Sequence, residues 1–191
     1  MKEIQAFVLN CAVLSSRVDR INSENSVVLV NRADIFSDPF ISPYIPQVDV
    51  AVRRTAQEMS IYYELFHALE NHLRQLVTDL LEDRHGPEWW ELAVSQSVRE
   101  NAARNLENEM KAGVTRRSER LIDYTNFGEL AVIIRENWET FVQIFNSRDG
   151  FNRVMNSLNI LRATIAHCSA FSEDEVLRLK LTFRDLFRLM E

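Results

Sequence analysis

Residues 48 to 85 contain neither glycine nor proline. Within them Val52, Ala56, Met59, Tyr62, Phe66, Leu69, Leu73, Leu76 and Leu80 recur at spacings of three and four, which is the period of one helix face. At 1.5 Å per residue such a run is a rod of about 50 Å. Gly86-Pro87 stops it, because proline has no N–H to donate and biases the preceding residue away from helix. With only four glycines and four prolines among 191 residues, the chain lacks the breakers that a turn-rich β fold needs. The expected class is all-α.

The rest of the pattern supplies the rod's partners. Trp89 and Trp90 follow the stop and are expected to fold back onto the rod. Residues 97–112 read as a charged helix ending near Gly113, followed by the basic loop Thr115-Arg116-Arg117-Ser118-Glu119-Arg120. Asn126 with Glu129 reads as a capping box, opening a helix expected to run to about Phe145. After a break near Ser147–Gly150, a further helix should end near His167 or Cys168. Ser172 with Glu175 reads as a second capping box, opening the last helix. Four to five helices joined by short loops make a bundle.

Before the rod the organisation changes. Ile4, Phe7, Val8, Cys11, Leu14, Val18 and Ile21 fit one face of a helix, although the Val and Phe content leaves a strand open. A polar break at residues 22–26 precedes Val27–Val30, too short to assign. Pro39, Pro43 and Pro46 predict an extended connector over Asp38–Gln47. We divide the chain into an N-terminal appendage with its connector, 1–48, and a helical domain, 49–191.

Composition narrows the function classes. The 22 Lys and Arg stand against 28 Asp and Glu, a net charge of -6, which argues against a general nucleic-acid coat but not against a local basic site. No apolar run approaches the ~20 residues of a bilayer span, and no membrane association is expected. Cys11 and Cys168 are neither a disulfide framework nor a zinc set, which fits a reducing, cytoplasmic setting. The weak n-region at Met1-Lys2-Glu3 predicts no secretory signal. There is no phosphate loop, dinucleotide fingerprint or metal-ligand spacing, so no metal and no cofactor is expected. His67 and His72 lie about 140° apart on a helix and read as rim residues. His85 reads as a cation at a helix C-terminus.

One constellation stands apart: Arg162-Ala163-Thr164-Ile165-Ala166-His167, where a helix gives way to a loop. With Leu158-Asn159-Ile160-Leu161 before it and Ser169 to Val176 after it, it resembles the C-terminal motif of the HEPN superfamily, most of all the Swt1-type branch. Glu64-Leu65 through Glu70-Asn71-His72-Leu73-Arg74, Gly86-Pro87-Glu88-Trp89-Trp90, the segment Leu121 to Leu130 and Asn137-Trp138-Glu139 are similar to other elements of that branch. The resemblance covers roughly residues 55–190. It implies a compact helical domain that pairs with a second copy. It also implies, for active members, a metal-independent endoribonuclease whose R-x4–6-H motifs meet at the dimer interface. Many such proteins serve antiviral defence or toxin–antitoxin systems; others bind a partner protein or RNA without cutting.

The residue types suit that chemistry. RNA carries its own nucleophile, the ribose 2′-OH. An imidazole can take its proton, and a guanidinium can grip the phosphate and stabilise the charge that develops. The catalytic candidates are therefore Arg162 and His167. Asn159, one turn before Arg162, and Arg116, Arg117 and Arg120 of the basic loop are candidate RNA contacts. The chain departs from the family pattern at Ala163, where active members commonly carry Asn, Asp or His. That departure supports the alternative of a non-cutting dimerisation module with a partner protein.

Overall fold

The computed structural model describes residues 38–191, and the expectations for residues 4–21 and Val27–Val30 lie outside the described residues. The connector is not extended. From Asp38 it forms successive turns and a 3-10 turn, Ile45–Gln47, with a proline in its first positions. The Asp38 carboxylate accepts the Phe40 N–H at 2.8 Å, and the Asp38 carbonyl accepts from Ile41 and Ser42. The fixed φ of proline suits turns as well as extended chain, and a capping aspartate decides for turns.

Helix α1 spans Val50–His85, as the breaker-free run requires. Asp49 caps it, its carboxylate accepting the Ala51 N–H at 2.7 Å, and Gly86 ends it at φ +74°, a left-handed conformation natural to glycine. Its C-terminal half carries the core face, Phe66, Leu69, Leu73, Leu76, Val77 and Leu81. A 3-10 turn, Gly86–Glu88, leads into α2, Trp89–Ala93. There Trp89 and Trp90 are buried edge to face, with centroids 5.6 Å apart. Helix α3 spans Gln96–Lys111, and a third 3-10 turn, Leu121–Tyr124, packs against it.

Helix α4, Phe127–Glu136, is opened by the Asn126–Glu129 capping box. The expected continuation to Phe145 fails at Asn137. Its side-chain amide donates to Ala93 O at 2.8 Å and to Ile133 O at 2.9 Å, and the chain restarts as the short α5, Trp138–Phe141. Helix α6 spans Arg148–Ala166 behind Ser147, whose hydroxyl accepts the Gly150 N–H. Helix α7, Glu173–Arg188, follows the Ser172–Glu175 capping box. Five helices of ten residues or more, two short ones and no strand make up the described residues, an all-α bundle. None of these helices is long and apolar enough to cross a membrane.

Packing centres on α1, which lies against α4, α5 and α6, while α7 covers α6. Trp138, Phe145 and Phe151 cluster where α5 turns into α6, with Phe145 and Phe151 centroids 4.6 Å apart. Asn146 closes the end of α7 by donating its N–H to Leu189 O and its side-chain amide to Arg188 O. Phe151→Ala is expected to cost about 3–5 kcal/mol through transfer and cavity terms, because Phe151 is fully buried. Phe40→Ala, at a side chain left in solvent, should change stability by less than about 0.5 kcal/mol. Urea unfolding of the two variants checks where the core lies.

Candidate functional site

The inner face of α6, Phe151, Val154, Met155, Leu158 and Leu161, is buried, and this fixes what its other faces present. Arg162 follows Leu161 at the edge of that face and turns toward α1. Its Nη2 lies 3.4 Å from Glu70 Oε2. The Arg162 side chain keeps 34 % of its exposure, whereas Glu70 keeps 16 %. Asn159 is exposed one turn earlier, beside the start of α4. Its Nδ2 lies 3.4 Å from where a Cβ on Gly128 would stand.

His167 is the C-cap of α6, its N–H donating to Ala163 O at 3.0 Å, and its side chain is exposed. The next residue, Cys168, has φ +55°, left-handed backbone that costs a residue with a Cβ about 1–2 kcal/mol. This reverses the chain, with the Ser169 N–H donating to Thr164 O. The loop then returns to α1. Phe171 packs edge to face on Tyr62 at 5.2 Å, and its N–H reaches Met59 Sδ at 3.4 Å. Burial, and then the Glu58 carboxylate, push the Tyr62 hydroxyl up. The His167 segment is thus held by α6 on one side and by α1 on the other.

Arg74 stands beneath this pair. It is buried, and its guanidinium is engaged on every side. Nη1 donates to Asn71 Oδ1 at 2.7 Å, Nη2 to Glu70 Oε1 at 2.9 Å and to Thr125 O at 3.1 Å, and Nε to Ile122 O at 3.2 Å. Asp123 Oδ1 lies 3.8 Å from Nε. Arg74 therefore pins the third 3-10 turn to α1, and Glu70 spans two guanidiniums, one buried and one facing solvent. In the sequence Glu70 and Arg74 fall in a segment similar to a family element, but nothing there gives either a role. The available signal was an arginine between Leu73 and the pair Leu76 and Val77, a charge on a buried helix face.

The basic loop is differently built. Arg116 donates to the carbonyls of Ser118 and Glu119. Arg117 Nε donates to Glu109 Oε2 at 2.6 Å, and its guanidinium lies over the Tyr124 ring at 5.0 Å. Arg120 grips Asp123 with two hydrogen bonds of 3.0 Å, a bidentate fork. These three residues hold their own loop together, and no hydrogen bond joins them to Arg162 or His167. His67 is exposed beside Tyr63. His72 is half-buried, and burial pushes its imidazole down.

Burial alone would raise the Asp123 carboxyl. Hydrogen bonds from Arg120 and Ser118 and the charges of Arg120 and Arg74 outweigh it and hold it below the ordinary carboxylate range. Its support of the loop is therefore complete above about pH 4 and is lost as pH falls through the lowered folded-state value. Arg74→Met is expected to destabilise the domain by about 3–5 kcal/mol, since it takes the buried cationic partner from Glu70 and Asp123 and the side-chain donor from the Thr125 carbonyl. Arg120→Ala, at a half-exposed pair, should cost about 1 kcal/mol or less. Denaturant midpoints of both variants at neutral pH test the ranking.

Comparison with known proteins adds a family. The family model described as Swt1-like HEPN matches residues 64–191. No curated protein and no solved structure matches the chain. The matched span takes in the C-terminal half of α1 and everything after it, and so includes Glu70, Arg74, Asn159, Arg162 and His167. A bundle built on one long helix, with an arginine and a histidine at the end of its penultimate helix, thus belongs to the Swt1-like HEPN family.

Proposed function

We propose that this chain is a metal-independent endoribonuclease of the HEPN type, acting as a homodimer in a prokaryotic defence or toxin–antitoxin system in the cytoplasm. One observation carries the reading: a single helix end presents a half-exposed guanidinium, steadied by a carboxylate, and an exposed imidazole at the C-cap. Residues five apart on a helix project about 140° from each other. Two protomers therefore complete the site better than one, each lending a residue to a shared cleft. His167 takes the proton of the 2′-OH, Arg162 holds the phosphate, and the second copy's histidine protonates the leaving 5′ oxygen. The products are a 2′,3′-cyclic phosphate and a 5′-OH. Asn159, at the rim, contacts the RNA. Arg116, Arg117 and Arg120 add positive potential from a loop whose forks are already engaged.

Ala163 supports a second reading. It is exposed between Arg162 and His167, where an active member would present a polar side chain. A domain that pairs and docks a partner protein or RNA without cleavage fits that surface equally in kind.

Cleavage of RNA in EDTA, with analysis of the product ends, separates the two. The nuclease reading expects cyclic-phosphate ends and a fall of about 10²–10⁴-fold in rate for His167→Ala. Undiminished cutting by that variant would remove His167 from the mechanism. Intact RNA with the unaltered chain would favour the docking module. Light scattering should give twice the 22.3 kDa chain mass; a monomer at assay concentration would leave the shared cleft without its second half.

A further inference from the structure

We infer that Glu70 is a positioning residue for Arg162: it fixes the guanidinium and withholds part of its charge until a phosphate competes for it. The inference rests on the nuclease reading of Arg162 and deepens it. The two oxygens of Glu70 are divided, Oε1 accepting from Arg74 at 2.9 Å and Oε2 facing Arg162 at 3.4 Å. Arg74 is itself anchored to the backbone at Ile122 and Thr125. A fixed line therefore runs from the third 3-10 turn through Arg74 and Glu70 to Arg162, crossing from α1 to α6. The inner contact is a hydrogen bond between largely buried groups. The outer one is longer and meets a side chain one-third exposed. It is the outer contact that an incoming anion can loosen.

Charge balance points the same way. Glu70 is the carboxylate that faces Arg162, while Asp123, 3.8 Å from Arg74, is already forked by Arg120. A phosphate that binds Arg162 shares its guanidinium with Glu70, and the geometry Glu70 imposes is carried into the bound state. Glu70→Gln keeps an oxygen able to accept from Arg74 and removes the charge that restrains Arg162. Such a variant binds anions more tightly yet positions them less well.

The test follows the Arg162 Nε–H resonance of the full chain by NMR while inorganic phosphate is added. In Glu70→Gln the signal should move from its original position and respond at several-fold lower phosphate concentration. In cleavage, the same variant should lower KM while kcat falls by roughly 10- to 100-fold, as expected when alignment is lost. A purely structural role would instead reduce active protein and leave KM unchanged. An Arg162 signal whose position and phosphate response are unaltered in Glu70→Gln overturns the inference, whatever the cleavage assay gives. A chain that cuts no RNA but shows the phosphate response retires the nuclease reading and upholds the hold of Glu70 on Arg162. If Glu70→Gln does not fold, Glu70→Asp, which withdraws the carboxylate by one methylene, is judged by the same signal.

Discussion

The buried guanidinium of Arg74 is the constraint around which the domain is arranged. An arginine cannot shed its proton to escape an apolar setting, so the fold must bring acceptors to it. Asn71 and Glu70 come from its own helix, Ile122 and Thr125 offer carbonyls, and Asp123 supplies a second negative charge. The 3-10 turn at Leu121–Tyr124 is held both by this demand and by its own buried residues, Ile122 and Tyr124. With the turn fixed, Asn126 is set to cap α4, and α4 in turn packs beside α6. One unavoidable charge thus orders three elements and leaves a spare carboxylate oxygen pointing toward the candidate site.

Much of this was legible from residue order. The absence of breakers from 48 to 85 gave the long helix, and both capping boxes open helices where Asn126 and Ser172 stand. The misreadings have physical causes. Trp138, Phe141 and Phe145 continue the apolar spacing of α4, so periodicity passes straight over Asn137. What breaks the helix there is a side-chain amide satisfying Ala93 O on a distant element, which no local pattern encodes. The prolines of the connector suit extended chain, but the carboxylate and carbonyl of Asp38 fold it into turns.

At the site, legibility follows the same division. Arg162 and His167 stand out because motif spacing is a property of one segment. The partner of Arg162 is invisible in that segment, because Glu70 comes from another helix and only packing brings the two together. The basic run at 116–120 shows the converse. Its charges are plain in the sequence, but Glu109, Asp123 and two backbone carbonyls already engage them. Charge in a sequence counts toward a binding surface only after its internal partners are subtracted.

Helix α1 is one continuous rod with two different surroundings. Val50 and Val52 at its start lie in solvent, whereas from Phe66 onward one face is sealed in the core. Local opening free energy therefore climbs along a single element. Early amides are guarded by little beyond helix propensity and a surface pair such as Arg54 with Glu58, and late ones open only with the whole domain. The loop after His167 meets α1 at Met59 and Tyr62, ahead of the sealed stretch, so movement in those more open turns bears on the loop beside the candidate site as well as on the helix.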